Sequence, residues 1–457
     1  MNKSHSVSRH NIGIAKNLWH LSYPTMTSYA LQSFYDLVDI AWVTRISSNA
    51  LSGVTLFTTI YSLFTVLNEV AGASSVSMIS QSYGRGTKEY TKRICEQTIS
   101  FKVVLAIFSA VLILIFLSPL LKFYSSDEAV YTAAMEYGLI RIFFTPIMFS
   151  SYSVNTIFRC TGDSKTPMTI MFIASIINIV LDPVLMFKRV PFINIQGAGL
   201  GVFGAALATV IATSLSFVYG FIILLSGKRD IKISFKGLFS LDREIDLSLL
   251  KIGFPSGINL FVRQLSGAVI MKFVSVYGFV AIAIAGIGAK LSQLANMPIF
   301  GFTMGGSALV GHALGRENVK DAKATSIFAA LMASTLVGIF IILVYSFPHF
   351  FMSFFLTKHD EIALSIPMVY FLSFSLLPLA FAQGLSVSFS GAGDNKPKLY
   401  SSVISRWIFQ IPFLYVVVRC LSLPLYFVWT SYILAEIVEL LIVLFCYVKR
   451  PWWEKRV

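Results

Sequence analysis

Apolar stretches about as long as a bilayer is thick recur from Leu18 to Val448, and that recurrence decides the architecture. A spanning helix needs about 20 mostly apolar residues, and inside the hydrocarbon every backbone N–H and C=O has to be satisfied within the helix itself. Twelve segments qualify: 17–43, 51–82, 98–121, 131–157, 167–188 and 200–226, then 249–277, 279–312, 325–347, 362–387, 397–422 and 424–448. Of the 457 residues, 56% are hydrophobic and only 13% charged, against roughly a quarter charged in an ordinary soluble domain. No water-facing shell could hide that much apolar surface. The expectation is an all-α polytopic membrane protein, which excludes a soluble enzyme and a disordered chain.

The net charge of +14 raises the question of nucleic acid, so the placement of the 36 Lys and Arg matters. They cluster between apolar segments, as Lys3/Arg9/Lys16, Arg85/Lys88/Lys92/Arg93/Lys102, Lys228/Arg229/Lys232/Lys236/Arg243/Lys251, Arg316/Lys320/Lys323 and Lys449/Arg450/Lys455/Arg456. The intervening connections hold little more than Arg45, Lys122, Lys188, Arg189, Lys358 and Arg419. Basic residues on alternate connections follow the positive-inside rule, which places both termini in the cytoplasm and the chain, multi-pass, in the cell's inner (cytoplasmic) membrane. The charge orients the protein in lipid and does not call for nucleic acid. Cys95, Cys160, Cys420 and Cys446 have neither paired nor CxxC spacing, so no disulfide framework or zinc site is expected. The first 16 residues are polar and lead into a long apolar segment without a small-residue cleavage motif, so helix 1 is expected to be retained.

Sliding the chain on itself by 231 residues brings Pro24 onto Pro255, Gly84-Arg85 onto Gly315-Arg316 and Phe158 onto Phe389. The same offset places Gly162-Asp163 and Lys165 on Gly393-Asp394 and Lys396. One gapless offset serving helix 1 and two separate loops implies two homologous six-helix lobes. The expected division is an N-terminal lobe over 1–226, a charged cytoplasmic linker over 227–248 and a C-terminal lobe over 249–457. Because each half has an even number of spans, both copies keep one orientation. The expected shape is therefore pseudo-symmetric about the membrane normal, a V around a central cavity.

Duplication also supplies an internal control, since a residue needed for the scaffold tends to appear in both copies. The acids do not repeat: Asp36 falls on Gly267, Asp39 on Ile270, Asn178 on Phe409 and Asp182 on Phe413. An aspartate at mid-helix costs about 2.5–3.5 kcal/mol on insertion scales, so such residues face the bundle interior and mark ion paths. Asp39 and Asp182 each lie fifteen residues beyond a proline, Pro24 and Pro167. At 1.5 Å per residue both carboxyls sit about 22 Å further out, at one depth. Asn178 shares a helix face with Asp182, and Tyr35 with Asp39, while Thr209 on helix 6 reaches a similar level. The donor set is all oxygen. Such a cluster in low dielectric either holds a hard cation such as Na⁺ or keeps a proton. The other reading is that these acids only cross-link helices.

Taken together, YPxxxxxxLQxxYDLVDIAWV, CTGDSKTPM, NIVLDPVLMF in helix 5, GAALATV in helix 6 and GHALGR after helix 8 resemble the multidrug and toxic compound extrusion (MATE) family, prokaryotic type. The resemblance covers nearly the whole chain. It implies a secondary antiporter of two lobes that expels organic cations and other amphipathic substrates in exchange for Na⁺ or H⁺ by alternating access. The residues show no catalytic constellation and call for no cofactor beyond the coupling ion, membrane lipid forms the surroundings, and nothing requires more than a monomer. By the same resemblance Asp39, Asn178, Asp182 and Thr209 form the cation-coupling site. Tyr35 and Tyr137 are aromatics beside it, and Pro24 is the point at which helix 1 bends. Asp36 departs from the family pattern, where asparagine is commoner, and puts another negative charge one turn from Asp39.

Glu69 has two readings, as an acid that attracts cationic substrates or as a structural hydrogen-bonding group. Glu436, Glu439, Arg263, Lys272, Lys290 and Arg406 also interrupt apolar stretches, and pairing among them is expected. A flippase for a lipid-linked saccharide or other amphipathic lipid is the alternative function, and it would use Arg263, Lys272 and Lys290 on its substrate. GLGVFG at Gly199–Gly204 follows no strand, so helix packing explains it better than a nucleotide.

Overall fold

The computed structural model describes residues 2–353 and 359–457, among which Lys358 does not fall. Apart from one isolated bridge between Arg189 and Gln196, its regular structure is helical. The first half runs α1 (Asn2–Thr44), α2 (Ser48–Phe64), α3 (Val66–Gly84), α4 (Lys88–Tyr124), α5 (Glu128–Phe143), α6 (Thr145–Cys160), α7 (Lys165–Met186) and α8 (Gly201–Ser226). A short α9 (Phe235–Leu238) precedes α10 (Arg243–Val274), α11 (Phe279–Gly315), α12 (Val319–Ser346) and α13 (Pro348–Ser353). Then come α14 (His359–Leu385), α15 (Val387–Ala392), α16 (Lys396–Ser402), α17 (Ile411–Tyr415) and α18 (Tyr426–Lys449). Val403–Gln410 and Val416–Cys420, on either side of α17, are π-helical.

Among the described residues, nine helical segments are long and apolar enough to cross a bilayer, and the pair α2–α3, bent by 47°, makes ten. The expected spans 17–43 and 131–157 are helical as well. The first lies within α1, and the second is covered by α5 and α6, which meet at Phe144 just before Pro146. Helix starts are set by side-chain caps: Ser47 accepts from the Ala50 N–H, Asp127 from Ala129 and Val130, and Asn318 from Asp321. Each satisfies an N–H that has no partner within its own helix.

The chain packs as two compact units. One is Thr27–Gly253, the other Met1–Met26 with Phe254–Val457. In the Thr27–Gly253 unit, Phe57, Ile60, Ile113, Leu117 and Tyr137 belong to a single buried cluster. Two glycines let α2 lie directly on α5. A Cβ on Gly53 would stand 2.8 Å from both the Ala133 Cβ and the Val130 O, and one on Gly138 would stand 2.5 Å from the Phe57 ring. The reversal between α7 and α8 uses left-handed backbone at Gly199 and Gly201, with φ of 68° and 59°. The Gly-rich stretch is thus a turn that opens a helix.

The charged connection after α8 is docked onto its own unit. Glu96 accepts from the Ser234 N–H at 2.7 Å and its hydroxyl at 2.9 Å. Arg93 pairs with Asp242 at 2.6 Å, Arg229 with Asp163 at 3.1 Å, and Tyr83 donates to Asp230 at 2.7 Å. Most of the basic residues read as surface charge are exposed, but Lys102 is not. It stands 1% exposed inside α4, where Glu69 lies within electrostatic reach. A Cβ on Gly72 would lie 3.8 Å from the Lys102 Nζ and 3.9 Å from the Glu69 Oε2. Lys102 therefore answers a half-buried acid instead of marking a membrane face.

In the other unit the opening of α1 packs along α11. A Cβ on Gly301 would meet the Met26 side chain at 2.2 Å, and one on Gly305 the Ser22 hydroxyl at 2.6 Å. Small residues four apart allow this close approach. Trp19 lies 6.1 Å from the Phe302 ring, and His10 reaches Asp321 at 2.7 Å. Asp394 holds the segment after α18 through Lys455 at 3.2 Å and Arg450 at 3.5 Å. Its repeat partner Asp163 holds the segment after α8. This aspartate recurs in both halves because it anchors the chain after the sixth span of each.

Candidate cation site

The acids singled out by their failure to repeat lie in the Thr27–Gly253 unit. Asp39 is on α1 and half-buried, with Tyr35 half-buried and Asp36 exposed one turn before it. Asn178 and Asp182, on α7, are 1% and 0% exposed. The Asn178 Nδ2 donates to the Asp182 Oδ1 at 3.2 Å, as their i,i+4 spacing dictates. This bond uses one oxygen of the acid and the donor end of the amide. The Asp39 Oδ1, the Asn178 Oδ1 and the Asp182 Oδ2 are all buried without a hydrogen-bond donor. A buried acceptor without a partner costs about 1–3 kcal/mol, more when charged. Asp182 and Asp39 are in electrostatic reach of one another, and these oxygens are of the type that a hard cation or a proton takes.

Electrostatics tie the group together. Asp182 lies within reach of Asp39, and Tyr137 within reach of Asp36, Asp39 and Asp182. Tyr137, 3% exposed on α5, is seated by the Phe57 ring at 5.7 Å, the contact that Gly138 makes room for. Thr209, buried on α8, donates to its own helix at the Ala205 O, 3.1 Å away, which leaves its oxygen free to accept. Pro24 is buried inside α1, whose helix runs through it. Glu69 stands with Lys102. Among the described residues no three His, Cys, Asp or Glu side chains are placed to hold a metal ion. Asp36 therefore does not complete a three-acid site with Asp39 and Asp182.

The reading from sequence left out Arg141. It follows Tyr137 by one turn of α5, and its Nη1 donates to the Tyr137 Oη at 3.0 Å. Its guanidinium carbon lies 5.5 Å from the Tyr137 ring centre and 5.9 Å from that of Tyr61, with Asp39 in electrostatic reach. The internal control could have exposed it, because position 141 falls on Leu372 in the second copy.

That second copy treats charge differently. Arg263 pairs with Glu439 and Arg406 with Glu436, both buried acids. Ser402 accepts from Arg263 at 2.9 Å, and Gln410 from Arg406 at 3.1 Å. The expectation that these residues pair is met for all four. Lys272 and Lys290 are exposed on α10 and α11. The acids of the second copy thus each carry a guanidinium on one oxygen, although the Glu436 Oε2, like the Asp39 Oδ1 and the Asp182 Oδ2, has no donor.

A polytopic helical membrane protein built from two matching halves has the organisation of a transporter. The chain belongs to the MatE family, whose model matches residues 24–184 and again 255–416, starting near the two prolines that the repeat superposes. It is 27% identical over 437 residues to "Probable multidrug resistance protein YoeA" of Bacillus subtilis, covering 95% of this chain and 93% of that one. It is also 27% identical over 455 residues to "Probable multidrug resistance protein NorM" of Thermotoga maritima, covering 97% and 94%. In fold it is similar to a MOP superfamily transporter from Pyrococcus furiosus, with a TM-score of 0.88, 22% identity and 96% of each chain covered.

Proposed function

We propose that this chain is a secondary antiporter of the inner membrane that exports organic cations in exchange for Na⁺ or H⁺ admitted to a site formed by Asp39, Asn178, Asp182 and Thr209. The observation that carries this reading is the set of three buried oxygens, one each on Asp39, Asn178 and Asp182, that lack a donor. Family membership and the multidrug-resistance names of the relatives support the substrate class. Ion entry neutralises the carboxylates, and a cationic substrate then loses its counter-charge. Tyr35, Asp36 and Tyr137 border the site. Pro24 serves as the pivot of α1 because its missing N–H and its ring weaken the local hydrogen-bond ladder. The protein works as a monomer with both termini in the cytoplasm, and no catalytic step is assigned.

Of the three basic residues that the flippase alternative would use, Arg263 is paired with Glu439, whereas Lys272 and Lys290 are exposed. Glu69, beside Lys102, takes the structural role. The test is ethidium efflux from proteoliposomes under separately imposed Na⁺ and pH gradients. One gradient should drive efflux in the unsubstituted protein, and Asp39→Asn should abolish the drive while leaving the melting temperature in detergent within a few degrees. Efflux of equal ion dependence in Asp39→Asn would overturn the assignment.

A further inference from the structure

We propose that Arg141 is a tethered counter-cation of Asp39, one that competes with the incoming cation for that carboxylate and so sets how tightly it is held. This rests on the antiport reading above. The geometry is that of a parked charge. The guanidinium is held by a phenol oxygen at 3.0 Å and by two ring faces at 5.5 and 5.9 Å, all formally neutral partners. The seat itself is fixed, because the Thr145 Oγ1 donates to the Arg141 O at 3.1 Å and meets the Tyr61 Oη at 3.2 Å. One donor is unspent: the Arg141 Nε is buried without an acceptor. Cation–π and phenol contacts are weaker than a charged hydrogen bond to a carboxylate. Arg141 therefore has somewhere stable to wait and something better to reach.

A guanidinium stays protonated at any working pH, so its charge beside the acids is permanent. Bound firmly to an acid, as Arg406 is to Glu436, it would shut the site. Absent, it would leave the carboxylates to hold a cation too firmly to release. Held on Tyr137 and Tyr61, it turns one N–H to a carboxylate when the site empties and gives way when a cation arrives.

The test is ²²Na⁺ binding to the purified protein in detergent, at a fixed alkaline pH where the carboxylates are charged whichever ion drives transport. Arg141→Gln should lower the Na⁺ dissociation constant about tenfold. Arg141→Lys keeps the charge but loses the planar fork and the ring seat, and should fall between the two. Tyr137→Phe frees Arg141 for the acids and should raise the constant, a shift that disappears when Arg141→Gln is added. A merely structural Arg141 predicts lower yield and melting temperature with an unchanged or weakened constant, and that result overturns the proposal. So does an absence of Na⁺ binding, to 100 mM, in both the unsubstituted protein and Arg141→Gln. Should Arg141→Gln fail to fold, Arg141→Lys decides: about threefold tighter binding supports the proposal and no change overturns it. Failure of the antiport reading shows separately, as a lack of gradient-driven efflux in the unsubstituted protein.

Discussion

An acid inside a bilayer is stable only beside a cation, a proton or several donors, and the two halves of this chain choose differently among these. Asp182 has a single amide donor on one oxygen, with the other oxygen open. Asp182→Asn should therefore keep the contact with Asn178 and the melting temperature while losing ion-driven efflux, measured in the same proteoliposomes. Glu436 has the opposite prospect. It neutralises Arg406, and removing one member of a buried ion pair costs about 3–5 kcal/mol. Glu436→Leu should lower the melting temperature sharply, and Glu436→Leu combined with Arg406→Met should recover most of the loss. At this scale sequence was informative where charge broke the repeat, as at Asp39 and Asp182. It passed over Arg141, although position 141 also breaks the repeat, because the Tyr137 and Tyr61 rings that seat it meet only in the fold. Lys102 misled for the converse reason: it follows the basic run Arg85/Lys88/Lys92/Arg93 and reads as part of it, while its partner Glu69 lies on a different helix.

Twelve helical spans were legible from apolar length alone, but their breaks were not. α2 and α3 meet at a 47° bend and α5 gives way to α6 at Phe144. Apolarity measures only whether a segment suits lipid and carries no account of backbone direction. The glycines that seat α2 on α5 were also invisible, since their meaning depends on a facing element. Gly138→Val would drive a side chain into the Phe57 ring, an overpacking worth about 1–3 kcal/mol. Because Phe57 seats Tyr137, the variant should lose thermal stability and Na⁺ affinity together. Arg141→Gln, in contrast, should move affinity in the opposite direction.

Across the whole molecule, the 231-residue offset anticipated that the family model matches twice. The aspartates at 163 and 394 show what such recurrence protects, namely the anchoring of the chain where each sixth span ends. Asp163→Asn should free the connection after α8 and speed tryptic cleavage around Lys228 and Lys232, read on a gel under native conditions. Asp394→Asn should do the same at Lys449 and Arg450. The course of α1 was the part least open to sequence reasoning, because nothing in its composition changes where it passes from one unit to the other after Met26. The same exchange occurs in α10, whose residues up to Gly253 belong with the first half. Each half thus lends the opening turns of its leading helix to its twin. Either half made alone would therefore lack the opening turns that complete its unit.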